Sequence, residues 1–150
     1  MDNSEVVDVL NDLIETSKDG EYGFTTCAER ATSVDLKQTF SSRASDCASG
    51  ARELQALVVQ HGGKAEDRGT VAGAVHRGWV SVRDALSGIS DQAILDECER
   101  AEDVALSRYR KALKHELPAT VRQVVERQTA GVQANHDQIK ALRDGLRARS

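Results

Sequence analysis

The sequence predicts an all-α protein, a bundle of four long helices arranged as two antiparallel hairpins. Its composition is one reason, because a single proline, 3% aromatic residues and 29% charged residues suit long helices and disfavour a sheet. Spacing is the other, because apolar residues recur every three or four positions in four separate stretches, as on one face of a helix. The 150 residues suffice for one domain with a real core, and we expect that domain to cover residues 1–150.

The first predicted helix covers about residues 4–31. Asp2 and Glu5 have the spacing of a capping box at its start. Its apolar face contains Val7, Leu10, Ile14, Ser17, Glu21, Phe24 and Ala28. Glu21 is a carboxylate within that face, and we expect Gly20 and Gly23, which flank it, to let another helix approach closely.

The second predicted helix covers about residues 35–61 and ends at Gly62 and Gly63, since glycines commonly follow the last turn of a helix. Its apolar face contains Leu36, Phe40, Arg43, Cys47, Gly50, Leu54, Leu57 and His61. Arg43 is therefore a cation within an apolar face, with Asp46 close beside it.

A long, polar connection follows, and we expect a short crossover helix over about residues 71–86, with Trp79 packed against the bundle. The third long helix, about residues 91–116, is expected to begin after a cap at Ser90. Its apolar face contains Leu95, Cys98, Glu102, Ala105 and Tyr109. Glu102 requires a partner there, because an unpaired buried charge costs several kcal/mol or more.

The fourth predicted helix covers about residues 118–147, and Pro118 suits its first turn because the missing amide donor costs nothing there. Both hairpin turns are short, so the helices within each hairpin should be antiparallel neighbours. The long connection can travel the length of the bundle, which would make the second and third helices parallel. One long crossover is the ferritin-like arrangement. Two extended hairpins that assemble only as an oligomer are the competing architecture.

Aligning the helices by level predicts a polar layer near the middle of the bundle. Its expected members are Glu21, Arg43, Asp46, Glu102, Gln128, Gln133 and His136. Di-metal carboxylate bundles supply one Glu from each of two helices and a Glu-x-x-His pair from each of the other two. Glu21 and Glu102 match the single glutamates and His136 matches one histidine.

The pairs of that di-metal pattern are incomplete in this chain. Gln133 stands where the fourth helix should carry a bridging Glu, and the second helix offers Arg43 and Asp46 with no histidine. We therefore expect a metal-free layer in which Arg43 neutralises Glu21 and Glu102 by hydrogen bonds, with His136 in the same layer. The alternative is iron or manganese held by Glu21, Glu102 and His136, with Asp46 and Gln133 as further ligands.

Five segments together resemble a bacterial ferritin-like four-helix-bundle family whose domain has no known function. They are LNDLIETSKDGEYGF, HGGKAEDRGTVAGAVHRGW, ERAEDVALSRYRKAL, LPATVRQVVERQ and HDQIKALRD, between about residues 5 and 145. The resemblance implies the crossover topology and a soluble bacterial protein. It also implies that the arginine of the second helix, here Arg43, is a structural element. It implies no activity, substrate or cofactor.

The remaining features limit the classes of function. A net charge of -4 gives no reason to expect nucleic acid or an anionic membrane as a partner. Three widely spaced cysteines, Cys27, Cys47 and Cys98, fit reduced core thiols in a cytoplasmic protein. No arrangement of catalytic residues is visible, so we expect a non-enzymatic protein, stress-related or partner-binding, without a cofactor. A homodimer stays open, and the sequence names no protein partner.

Overall fold

The computed structural model describes residues 1–64 and 90–149, and these residues form four long helices joined by short turns within each hairpin. The helices are α1 (Asn3–Arg30), α2 (Val34–Gln60), α3 (Asp91–Leu113) and α4 (Ala119–Ala148), and the described residues contain no strand. The crossover helix expected over residues 71–86, with Trp79, lies outside the described residues. The extent of a single domain over residues 1–150 stays a prediction.

Polar side chains fix where three of the helices begin. Asp2, Ser33 and Ser90 each accept a hydrogen bond from the amide nitrogen three residues further on. These caps satisfy one of the amide groups that the first turn of a helix leaves without a partner. The end of α2 is followed by Gly62, whose φ of 75° lies in the left-handed region that glycine adopts readily.

Two contacts between α1 and α3 give the relative directions of the first three helices. Cys27 Sγ lies 3.3 Å from Cys98 Sγ, and Ser17 Oγ lies 3.2 Å from the Tyr109 hydroxyl oxygen. Residue numbers therefore rise along α1 as they fall along α3, so these helices are antiparallel. Since the short turn at residues 31–33 also makes α1 and α2 antiparallel, α2 and α3 run parallel.

The apolar core consists of two clusters, one toward each end of the bundle. The first is centred on Phe24, Phe40, Ile94 and Ile139, and the second on Leu10, Leu13, Leu54, Leu106 and Val121. The contacts of α1 with α2 and of α3 with α4 are extensive, whereas α2 and α4 touch only lightly. Side chains that carry charge or hydrogen-bonding groups gather between the two clusters.

Gly20 allows the close approach of α1 and α2. It is buried, and a Cβ atom added to it would lie 2.8 Å from Cys47 Sγ, which is too close for two packed atoms. The expectation that Glu21 faces the interior is wrong, since its side chain is 40% exposed and lies 3.9 Å from Lys18 Nζ. Because α1 must bring a residue without a side chain against Cys47, Gly20 takes the inner position and Glu21 is rotated toward solvent.

Candidate functional site

A buried ion pair joins α2 to α3 between the two apolar clusters. Arg43 Nε lies 3.5 Å from Glu102 Oε1, and the two side chains are only 11% and 3% exposed. Burial raises the pKa of Glu102 above its ordinary value, although the positive charge of Arg43 acts in the opposite direction. Arg43 provides the counter-charge that a buried carboxylate requires. Within the described residues, Arg43 Nε and Glu102 Oε2 are buried without a hydrogen bond of good geometry.

A chain of hydrogen bonds crosses the bundle beside this ion pair. The Tyr109 hydroxyl donates to Gln128 Oε1 at 2.8 Å and lies within hydrogen-bond distance of Ser17 Oγ. Gln128 Nε2 in turn donates to Glu53 Oε1 at 2.8 Å and to the carbonyl oxygen of Gly50 at 3.3 Å. Burial raises the pKa of Tyr109 to about 12, so its hydroxyl keeps its proton at neutral pH.

The same groups line a groove of about 510 Å³ between α2 and α4, with walls from α1 and α3. Arg43, Cys47 and Tyr109 lie along it, and the exposed Asp46 lines it as well. The groove follows from the light contact between α2 and α4, since few side chains fill the space between these helices.

A second group of polar residues lies at the edge of the α3–α4 hairpin. Glu99 and Asp103 are one turn apart on α3, and His136 faces them from α4. His136 Nε2 lies 2.7 Å from Asp103 Oδ1 and 4.0 Å from Glu99 Oε1. Each of the three residues offers a ligand atom, and these atoms lie within 4.8 Å of one another. We call Glu99, Asp103 and His136 the rim cluster.

Two further residues orient the rim cluster. His136 Nδ1 lies 3.2 Å from Asp137 Oδ1, and Arg143 forms an ion pair with Glu99 Oε2. The side chains of Glu99 and His136 are 14% and 13% exposed, whereas that of Asp103 is 62% exposed. His136 Nε2 is buried, and within the described residues no hydrogen bond of good geometry satisfies it.

The structure brings together some members of the expected polar layer and separates others. Arg43 and Glu102 are paired, and His136 lies close enough for its charge to act on the ionisation of Glu102. Gln133 instead accepts a hydrogen bond from Arg110 Nη2 at 2.8 Å and donates one to Asp137. Because Glu21 lies at the surface, Glu21, Glu102 and His136 do not form the single cluster that the sequence predicted.

Sequence reasoning missed the two acids of the rim cluster, because charged residues are common on the exposed faces of the described helices. The spacing of four residues between Glu99 and Asp103, which places both on one helix face, is the signal that could have found them. Their pairing with His136 depends on how α3 and α4 are aligned, and this alignment has no direct signature in the sequence.

Comparison with solved structures supports the fold assignment. A mutant of Dps1 from Mycobacterium smegmatis superposes with a TM-score of 0.77 over 94% of this chain and 96% of that chain. The two sequences are 15% identical, so the likeness concerns the fold alone. It confirms the predicted class, an all-α ferritin-like four-helix bundle.

Sequence comparisons complete the assignment. No curated protein matches the chain. Within residues 1–64 and 90–149, no helix contains an apolar stretch of the length that a membrane span requires. The family model described as "Domain of unknown function (DUF2383)" matches residues 5–115, which include nearly all of α1 and the whole of α2 and α3. This match covers most of the chain, and the protein therefore belongs to the DUF2383 family.

Proposed function

We propose that the protein is a non-enzymatic ferritin-like bundle in which the Arg43–Glu102 ion pair replaces a central metal centre. The observation that supports the proposal is that both side chains are buried, with Arg43 Nε 3.5 Å from Glu102 Oε1. A guanidinium beside the carboxylate already supplies the positive charge that a metal ion would bring. A cation entering there would meet Arg43 as a like charge.

The composition of the central site also supports this proposal. Two or more carboxylates usually hold a pair of metal ions in bundles of this type. Within residues 1–64 and 90–149, Glu102 belongs to no group of three closely placed ligand atoms. The proposed role of the ion pair is to fix the position of α2 against α3, because any shift of one helix would leave a buried charge without its partner.

The same proposal includes the compartment in which the protein acts and the kind of surface that it uses. Three buried cysteines without disulfides suit the reducing bacterial cytoplasm. In that compartment the bundle would act by binding a partner, and the groove lined by Arg43, Tyr109 and Gln128 is the concave surface that it offers. A second copy of the chain is one such partner.

Elemental analysis of the full chain, purified without chelator, tests the central part of this proposal. Wild type and Glu102→Gln are compared after each is shown to be folded by circular dichroism. We expect the two proteins to have the same content of iron, manganese and zinc, because Glu102 holds no metal. A stoichiometric metal in the wild type that is lost in Glu102→Gln would overturn the proposal.

The rim cluster supports a second candidate function, the binding of one divalent cation. Two carboxylates and one imidazole are a donor set that suits manganese, iron or zinc. The contact of Nδ1 with Asp137 leaves His136 Nε2 as the ligand atom, as in the carboxylate–histidine–metal arrangement of many metal sites. Arg143 holds Oε2 of Glu99, so Oε1 faces His136.

Calorimetric titration of the metal-free full chain with Mn²⁺ and Zn²⁺ tests this second function. We expect saturable binding of one ion per chain, weakened by tenfold or more in Asp103→Asn and in His136→Ala. His115→Ala is the matched control, because His115 is exposed and lies outside the rim cluster. Equal affinities in the wild type and in His136→Ala would contradict metal binding at this site.

A further inference from the structure

We propose that Cys27 and Cys98 form a redox pair, which hydrogen peroxide converts into a disulfide that joins α1 to α3. The two sulfur atoms lie 3.3 Å apart, and both residues are completely buried. They come from positions 71 residues apart in sequence, so only the packing of α1 on α3 brings them together. This inference does not depend on metal binding or on the role of the Arg43–Glu102 pair.

The geometry requires little movement for the bond to form. A disulfide has a sulfur–sulfur distance of about 2.05 Å, so the two atoms must approach each other by about 1.2 Å. The backbones of α1 and α3 already run side by side at this level. Ala31 and Ala101, which have small side chains, belong to the same buried cluster as Cys27 and Cys98.

The reaction is a two-electron oxidation in which peroxide is the oxidant. One thiol loses its proton and attacks an oxygen of hydrogen peroxide, which breaks the oxygen–oxygen bond and gives a sulfenic acid and water. The second thiol then attacks that sulfenic sulfur, and the hydroxyl leaves with a proton as a second water. Two thiols and one peroxide thus become one disulfide and two waters.

Burial controls which oxidants reach the pair and how fast they react. Burial raises the pKa of Cys98 well above its ordinary value, and contact with Cys27 and the charge of Glu102 add to this effect. The reactive thiolate is therefore scarce at neutral pH, and oxidation should be faster at alkaline pH. A small uncharged peroxide can reach the sulfurs through brief openings of the bundle, whereas glutathione disulfide is too large to do so.

The third cysteine provides a matched control. Cys47 is also buried, but it lies against Gly20 on the α1–α2 side of the core, and burial raises the pKa of its thiol to about 12. The variant Cys47→Ala removes one thiol and leaves the pair intact. It should therefore form the disulfide as the wild type does.

Peptide mapping after treatment with peroxide tests the proposal. The folded full chain, with chelator present, is exposed to hydrogen peroxide, and free thiols are then blocked with N-ethylmaleimide in denaturant. We expect a mass lower by two hydrogens and a linked peptide that contains Cys27 and Cys98, in the wild type and in Cys47→Ala. The disulfide should raise Tm by about 5 °C or more, and a reductant should reverse the rise.

Several results would overturn the proposal. They are free thiols at both positions after treatment, oxidation that stops at sulfinic acid, and a disulfide that links two chains or involves Cys47. The wild-type map alone decides between these outcomes, even if Cys27→Ala or Cys98→Ala fails to fold. Oxidation by glutathione disulfide as fast as by peroxide would contradict the proposed selection by size.

Discussion

The guanidinium carbon of Arg43 lies 5.7 Å from the centre of the Phe24 ring, so this buried cation has an aromatic face beside it as well as Glu102. Phe24 in turn stacks on Phe40, with ring centres 6.2 Å apart. The ion pair is thus enclosed by packed side chains from α1 and α2. Its energetic role can be measured by removing one partner or both.

Removing one charge of this pair should destabilise the protein far more than removing both. We expect Glu102→Leu to lower the free energy of unfolding by about 3 kcal/mol, because it leaves Arg43 buried without a counter-charge. The double variant Arg43→Met/Glu102→Leu should lie within about 1 kcal/mol of the wild type. Urea denaturation of the three proteins provides the values, and additive losses in the double variant would contradict the direct pairing.

The raised pKa of Glu102 predicts the sign of one pH dependence. Because the pKa of Glu102 is higher in the folded state than its ordinary 4.5, this carboxyl group stabilises the folded state at pH values below 4.5. Its contribution is lost as the pH rises from 4.5 through the folded-state value. Stability of the wild type, measured relative to Arg43→Met/Glu102→Leu, should therefore decrease over this interval. A relative stability that increases with pH there would contradict the effect of burial.

Asp91 predicts the opposite dependence. It accepts hydrogen bonds from Thr32 N at 2.8 Å, Thr32 Oγ1 at 2.9 Å and Ser33 N at 3.1 Å, which joins the start of α3 to the α1–α2 turn. Burial alone would raise the pKa of Asp91, but these bonds hold it below the ordinary 3.8. Its stabilising effect is therefore present above pH 3.8 and lost as the pH falls through the folded-state value.

The variant Asp91→Asn tests that link between the hairpins. We expect a loss of about 1–2 kcal/mol in the free energy of unfolding at pH 7, because an amide accepts these bonds less strongly than a carboxylate. The difference should diminish below pH 3.8, where the wild-type carboxyl group becomes protonated. Asp35→Asn, at the exposed start of α2, is the control. Equal losses in both variants would argue against a specific role of Asp91.

The tight contact of Gly20 with Cys47 predicts a difference between glycines. Gly20→Ala should cost about 1–3 kcal/mol, because the added Cβ would lie 2.8 Å from Cys47 Sγ. Gly131→Ala in α4 is the matched control, since nothing lies within 4 Å of its Cβ position, and it should stabilise the helix by about 1 kcal/mol. Thermal denaturation measures both, and Cys47→Ala should restore most of the loss in Gly20→Ala.

The sequence was sufficient for the class of fold, because four amphipathic stretches and two short turns leave few arrangements. It also indicated Arg43 and Glu102 as charges that need partners, since each interrupts an apolar face. The rotation of α1 about its own axis was harder to predict from the sequence. Glu21 and Gly20 differ by one position, and the choice between them depends on how closely α2 approaches.

The periodicity of apolar residues does not predict which distant segments of the chain are in contact. Cys27 and Cys98 fit small core residues equally well whether or not their sulfurs meet, and only the alignment of α1 with α3 decides this. The same holds for the rim cluster, where Glu99 resembles any charged surface residue until α4 brings His136 beside it. Such contacts depend on offsets of a fraction of a helical turn, to which apolar spacing is insensitive.

The light contact between α2 and α4 has a consequence for the way the bundle opens. Across this interface Gln128 binds Gly50 and Glu53, and Arg127 forms an ion pair with Glu53. Polar links of this kind exchange readily with water, whereas separating the apolar α1–α2 contact is costly. Among the four helices, slow amide exchange should therefore persist longest in the middle of α1, and the edges of α2 and α4 that face each other should take up deuterium first.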